Sequence, residues 1–122
     1  MGDCAMPAKG IQVDASFDCA MRVTSTLVTA GPGGPPQPVP ARPMPGRRWL
    51  RIMNNGRIVD GQRVDVQVMI GSQDITFVPP IKGFGIEIDE FIDLPFNDSI
   101  IVYAVVNVAG DETADLRTIE LR

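Results

Sequence analysis

Polar and apolar residues along this chain alternate in short runs and do not repeat at helical spacing. Residues 21–29, MRVTSTLVT, are rich in β-branched side chains and change character at nearly every step, which predicts a strand. In RRWLRIMN (47–54), Leu50 and Ile52 point one way and Arg51 the other, the signature of a half-buried strand. The triplet Asn54-Asn55-Gly56 and the pair Asp60-Gly61 are turn signals, because Asn, Asp and Gly tolerate positive φ. Val64, Val66, Val68 and Ile70 then share one face, with Asp65 and Gln67 on the other, predicting one continuous strand.

Further on, SQDITFVPP predicts a short strand that ends where Pro79 and Pro80 remove ladder donors. GFGIEIDEF places Ile86 and Ile88 inward, Glu87 and Asp89 outward. LPFNDS is a turn, and IIVYAVV (100–106) is apolar on both faces, as expected of a central strand covered on each side. A polar turn, AGDETAD, leads into a closing strand, LRTIELR, whose two phases require a bulge near Thr118. About seven or eight short strands, spaced by roughly 8–12 residues with turn residues between, predict an all-β fold. The expected architecture is a single antiparallel β-sandwich or barrel-like domain over residues 21–122. An N-terminal arm, residues 1–20, precedes it; there the pattern is mixed, with at most a short strand at 11–13.

The segment GPGGPPQPVPARPMPG (31–46) holds seven of the chain's eleven prolines and four of its twelve glycines. As a ligand for a proline-binding module it fails in register. Pro35 and Pro38 have the spacing, but position 40 is Pro40 where a basic residue is needed; Arg42 would need a proline where Gln37 stands. As a domain linker it also fails, since the piece before it holds at most two strands, too few to be stable alone. A stiff, donor-poor Pro/Gly-rich loop crossing the surface of one domain is the expectation, able to reach a neighbouring subunit.

Composition narrows the function. The 122 residues are 44% hydrophobic and 21% charged, ordinary globular usage for one domain. A net charge of −4 argues against a nucleic-acid partner, whose recognition rests on Lys and Arg. Arg47, Arg48 and Arg51 form the one basic cluster and suit a strand start with a solvated face. No run reaches the length of a membrane helix, and the N-terminus lacks a secretory signal pattern. Cys4 and Cys19 have no metal-binding spacing and are expected to be reduced thiols, with a bridge between subunits as the alternative.

The chain contains no histidine, which removes histidine-based nucleophilic and acid–base catalysis and most transition-metal sites. Glu87, Asp89, Glu90 and Asp93 do not follow a calcium-loop pattern and suit the wet side of a strand. No catalytic, cofactor or metal site is expected. Of the aromatics, Trp49, Phe77, Phe96 and Tyr103 suit a core, while Phe84 and Phe91 flank glycine or turn positions and suit exposed anchors.

Over residues 47–122, RRWLRIMNNG, VDVQVMIGSQDIT, GFGIEIDEF and DSIIVYAVVNVAGDETADLRTIEL resemble small virion proteins of tailed bacteriophages. Arg48, Leu50, Ile52 and Asn54 match an opening R-x-L-x-I-x-N strand. Gly71, Ser72, Ile75 and Thr76 match a G-S-x-x-I/V-T element, and residues 102–105 a late V-Y-A-V strand. The first 46 residues depart from that pattern. The resemblance implies a non-enzymatic structural protein of the virion, assembled in the host cytoplasm and without cofactor. Capsid decoration or cement is the first expectation; a head–tail, collar or tail-fibre part is the second. The implied partners are the major capsid protein or neighbouring copies, with a homo-oligomer expected and no nucleic acid or membrane. Candidate contact residues are Cys4, Phe17 and Cys19 in the arm, Pro35, Pro36, Pro38, Pro40 and Pro43 in the loop, and Phe84 and Phe91. A carbohydrate- or ligand-binding sandwich is the alternative from another class, with Trp49 and Tyr103 as its thin aromatic provision.

Overall fold

A computed structural model describes residues 21–31, 34–76, 81–107 and 113–122. Among these residues there is no helix. The strands are β1 (Met21–Val28), β2 (Gln37–Pro38), β3 (Trp49–Asn54), β4 (Arg57–Val59), β5 (Gln62–Val64), β6 (Val68–Gly71), β7 (Phe84–Ile86), β8 (Phe91–Leu94), β9 (Tyr103–Val106) and β10 (Ala114–Leu121). They form two antiparallel four-stranded sheets, ordered β1-β10-β3-β8 and β2-β9-β6-β7, and a separate β4-β5 hairpin. Alternation places one face of each sheet against the other. Val28, Leu50, Ile52, Ala114 and Leu116 from the first sheet meet Val68, Ile70, Ile86, Ala104 and Val106 from the second in one core. The all-β sandwich expected from the sequence is what forms.

Several local readings need correction. The Val64-to-Ile70 alternation is not one strand: β5 ends at Val64, which is exposed, and residues 65–67 turn the chain into the second sheet before β6 begins. Asn54 causes that break. Its buried side-chain amide donates to the carbonyls of Val66 (2.7 Å) and Ile86 (2.9 Å), and its oxygen accepts the Gly56 N–H (2.7 Å). One bonded side chain thus ties the end of β3, in the first sheet, to β7 and the lead-in to β6 in the second. Asp60 and Gly61, with φ of 51° and 77°, make the two-residue hairpin turn between β4 and β5 that the sequence signalled. Glu87–Glu90 is a turn, not strand: Asp89 has a φ of 67°, and Ile88 is only half-buried. β10 runs without a bulge, so Thr118 and Glu120 lie on the buried face and Ile119 and Leu121 on the outer one.

The proline tract also departs from expectation. Proline cannot donate to a ladder, yet Gln37–Pro38 pairs with β9 as the edge of the second sheet. A two-residue edge tolerates this because the donor comes from Val39, whose N–H reaches the Val102 carbonyl at 2.8 Å. Val39 is fully buried and Met44 nearly so. Residues 34–46 are therefore part of the sandwich's wall. β9, flanked by β2 and β6, is buried on both faces through Ala104, Val105 and Val106, as its apolar run predicts. The predicted strand at 11–13 lies outside the described residues, and 77–80 likewise; Thr76 and Lys82 form an isolated bridge beside the latter.

Candidate functional site

The chain's charged residues are used first to build the wall. Glu120 on β10 is fully buried, and both its oxygens are occupied. Oε1 accepts from Arg22 of β1 (Nε, 2.9 Å), while Oε2 accepts from the Arg47 guanidinium (3.0 Å) and the Met44 backbone N–H (2.7 Å). Arg47, 1% exposed, gives three further donors to the carbonyls of Phe96 (3.0 Å), Asn97 (2.8 Å) and Ile100 (2.6 Å). Arg22 also donates to the Arg42 carbonyl. Arg47 is thus not part of a solvated cluster; its guanidinium joins the proline-rich segment, the 96–100 loop and β10. A buried charge is tolerable in a sandwich only with such complete pairing.

The outer face of the first sheet is different in kind. Register places Met21, Val23, Ser25 and Leu27 of β1 beside Leu121, Ile119, Arg117 and Asp115 of β10. Beyond these lie Trp49, Arg51 and Met53 of β3, then Phe91 and Asp93 of β8. Val23 (51%), Leu27 (57%), Trp49 (37%), Phe91 (50%) and Leu121 (38%) are exposed on this one face. Arg51 and Asp93 cross its centre in a bidentate pair, 2.6 and 2.8 Å, with the guanidinium 4.1 Å over the Phe91 ring. Hydrogen bonding from Arg51, and further from the Trp49 indole, holds the Asp93 carboxyl below the usual carboxylate range. The same pair raises Arg51.

A second apolar feature is a cleft of about 280 Å³ at one mouth of the sandwich, lined by Ile70, Phe84, Leu94, Phe96, Ile100 and Ile101. Beside it Asp74 is held below its ordinary value by the Ser72 hydroxyl first and by Lys82 second. No cluster of metal-ligating side chains occurs among the described residues.

These features sort the sequence candidates. Phe84 (47% exposed) and Phe91 are open to solvent as expected, but they sit on different surfaces, one at the cleft and one on the outer sheet face. Pro35 is exposed, and Pro36, Pro38 and Pro43 are half-buried. Pro40 is buried within the fold, which removes it as a contact residue. Cys4, Phe17 and Cys19 lie outside the described residues. Trp49, expected in the core, is on the outer face. The apolar face as a whole escaped the sequence reading, although Ile119 and Leu121 out of phase with Leu116 carried its signal.

Compared with known proteins, the chain matches no protein-family model, and no curated protein matches it.

Proposed function

We propose that this protein is a non-enzymatic structural subunit of a tailed-bacteriophage virion, acting as a capsid decoration or cement protein. The observation that carries the reading is the exposed apolar outer face of the first sheet, from Val23 and Leu27 across Leu121 to Trp49 and Phe91. Exposed apolar side chains gathered on one sheet face, with the Arg51–Asp93 pair, Arg117 and Asp115 among them, suit a partner protein better than water. The sequence resemblance over 47–122 supplies the partner class, the shell or its neighbouring subunits. The 34–46 segment fits a rigid plate, since the N–H groups of Val39, Met44 and Gly46 bond it to the rest of the domain. Cementing needs extended surface and many copies rather than a pocket. Quantitative mass spectrometry of purified particles tests the reading. Hundreds of copies support a shell role; six or twelve move the protein to the tail or collar; absence from the particle overturns the proposal.

One observation favours a second reading, a glycan- or ligand-binding sandwich. Trp49 and the register position of Phe91 are four residues apart along β3, about 13 Å at strand rise, with Arg51 and Asp93 between them. A glycan array on the purified chain, repeated with Trp49→Ala, tests it: binding lost in the variant supports the module, and no binding retires it.

A further inference from the structure

Among the described residues, the two four-stranded sheets have four edges, and three of them carry features that block further pairing. β2 is two residues long and contains Pro38. β7 is three residues long and contains Gly85. β8 is four residues long, carries Asp93, and runs into Pro95. Short edges, charge and proline are the usual defences against edge-to-edge association. β1 has none of them along most of its length: eight residues, MRVTSTLV, no proline and one charged side chain. That charge, Arg22, is turned to the inner side and engaged by Glu120.

Its backbone direction is fixed by a contact at one end. The Gln37 side-chain amide donates to the Leu27 carbonyl (2.8 Å) and accepts the Thr29 N–H (3.1 Å). These groups therefore point away from β10. Antiparallel pairing alternates with a period of two, so the N–H and C=O of Val23 and Ser25 point the same way. Gln37 imitates a neighbouring strand, but only at residues 27–29. Among the described residues no strand pairs with the rest of that edge.

We infer that β1 is a self-association edge: two copies of this chain pair β1 to β1 antiparallel across a two-fold axis near Thr24 and Ser25. The occupant is a second copy because the strand is complementary to itself. With the axis at Ser25, Leu27 faces Val23 of the second copy; with the axis at Thr24, it faces Met21. In both registers the exposed Leu27 gains an apolar neighbour on the outer face. In the Thr24 register Arg22 meets Thr26, and in the Ser25 register the pairing stops short of Val28, where the Gln37 side chain already lies, so no like charges stand opposite each other. An isologous pair of this kind closes after two subunits and joins the sheets into one eight-stranded layer. The outer faces of the two sheets then become one surface. The inference stands without the virion reading, which particle composition tests separately.

Sedimentation equilibrium of the full chain, from micromolar to near-millimolar concentration, tests it. The expected species has twice the 13.2 kDa chain mass and dissociates on dilution. Ser25→Pro removes an outward-facing N–H and Leu27→Lys places a charge at the seam; each returns the mass to that of one chain. Phe91→Lys, on the far edge, leaves the dimer intact. If Ser25→Pro fails to fold, Leu27→Lys at its exposed position carries the test. Amide exchange adds a local readout, with Val23 and Ser25 becoming protected as concentration rises. A monomer throughout the range overturns the inference, whether the edge stays open or residues 1–20 of the same chain cover it. A dimer that survives both β1 variants with native circular dichroism overturns it equally.

Discussion

Removing either member of the Glu120–Arg47 pair probes the buried network most directly. Glu120→Met leaves the Arg47 guanidinium 1% exposed, bonded to three carbonyls but without a counterion. Breaking a buried pair from one side typically destabilises by 3–5 kcal/mol, and about 4 kcal/mol is expected here. Arg47→Met is milder, about 3 kcal/mol, because Arg22 still faces Glu120 and the carbonyls of the exposed residues Asn97 and Ile100 can turn to water. The double variant removes both orphaned charges, so it loses about 4 kcal/mol instead of the additive sum of about 7, a coupling of about 3 kcal/mol. Against a total stability of about 5–15 kcal/mol, each single change is large. Urea unfolding followed by circular dichroism gives the values, with the slope expected to stay constant across the series. Thermal midpoints should fall by roughly 12–16 °C in the singles, at about 4 °C per kcal/mol for a domain of this size. Additive losses in the double variant, or a loss below about 1 kcal/mol in Glu120→Met, would refute the reasoning, since a desolvated and mutually dependent pair cannot behave so.

Asn54→Leu leaves the carbonyls of Val66 and Ile86 and the N–H of Gly56 without their partner, and a loss of about 2–4 kcal/mol by urea unfolding is expected. Gly61→Ala and Gly56→Ala share a φ near 77°, but an added Cβ meets nothing within 4 Å at Gly61 and lies 2.5 Å from the Val64 carbonyl at Gly56. Gly61→Ala should therefore lose only about 1 kcal/mol and Gly56→Ala clearly more, a difference that a thermal melt resolves. Asp93, held below its ordinary value near 3.8 by Arg51, contributes stability that is present above that value and lost as pH falls below it. Asp93→Asn should therefore lower stability at neutral pH and change it little in acid, which flattens the acid limb of a stability–pH profile, and a carboxyl titration by NMR should find the wild-type group below the normal range.

Strand identity was legible wherever one face alone meets the core. Leu50 and Ile52 against Arg51 on the first sheet, and Ile86 on the second, read correctly because burial on one side imposes a period of two. Turn chemistry was legible where positive φ demands it, at Gly56 and at Asp60-Gly61. Reading failed where a distant residue changes the meaning of a local pattern. Thr118 and Glu120 look like a phase error, because nothing near them in sequence announces Arg22 and Arg47, which lie 98 and 73 residues away. The Val64-to-Ile70 run looks like one strand because the Asn54 amide that redirects it belongs to another element. The proline tract looks like a free loop because the β9 partner that makes Gln37–Pro38 an edge strand is encoded some sixty-five residues later.

The same division applies to the surface. Sequence determined that the chain would build antiparallel sheets, since alternation and turn residues are local and each strand carries its own period. Phe91 announced its exposure in the sequence, but tertiary structure alone decided which apolar residues come together outside: Val23, Leu27, Trp49, Phe91 and Leu121 meet on one face only because β1, β10, β3 and β8 are neighbours in that order. Edge or interior position is likewise a property of the sheet, not of the strand. β1 and β10 are both eight residues long, and only the sheet order leaves β1 with a side that no strand among the described residues pairs. Hydrogen bonds between strands form between residues distant in sequence, so a strand cannot state from its own residues whether it has one neighbour or two.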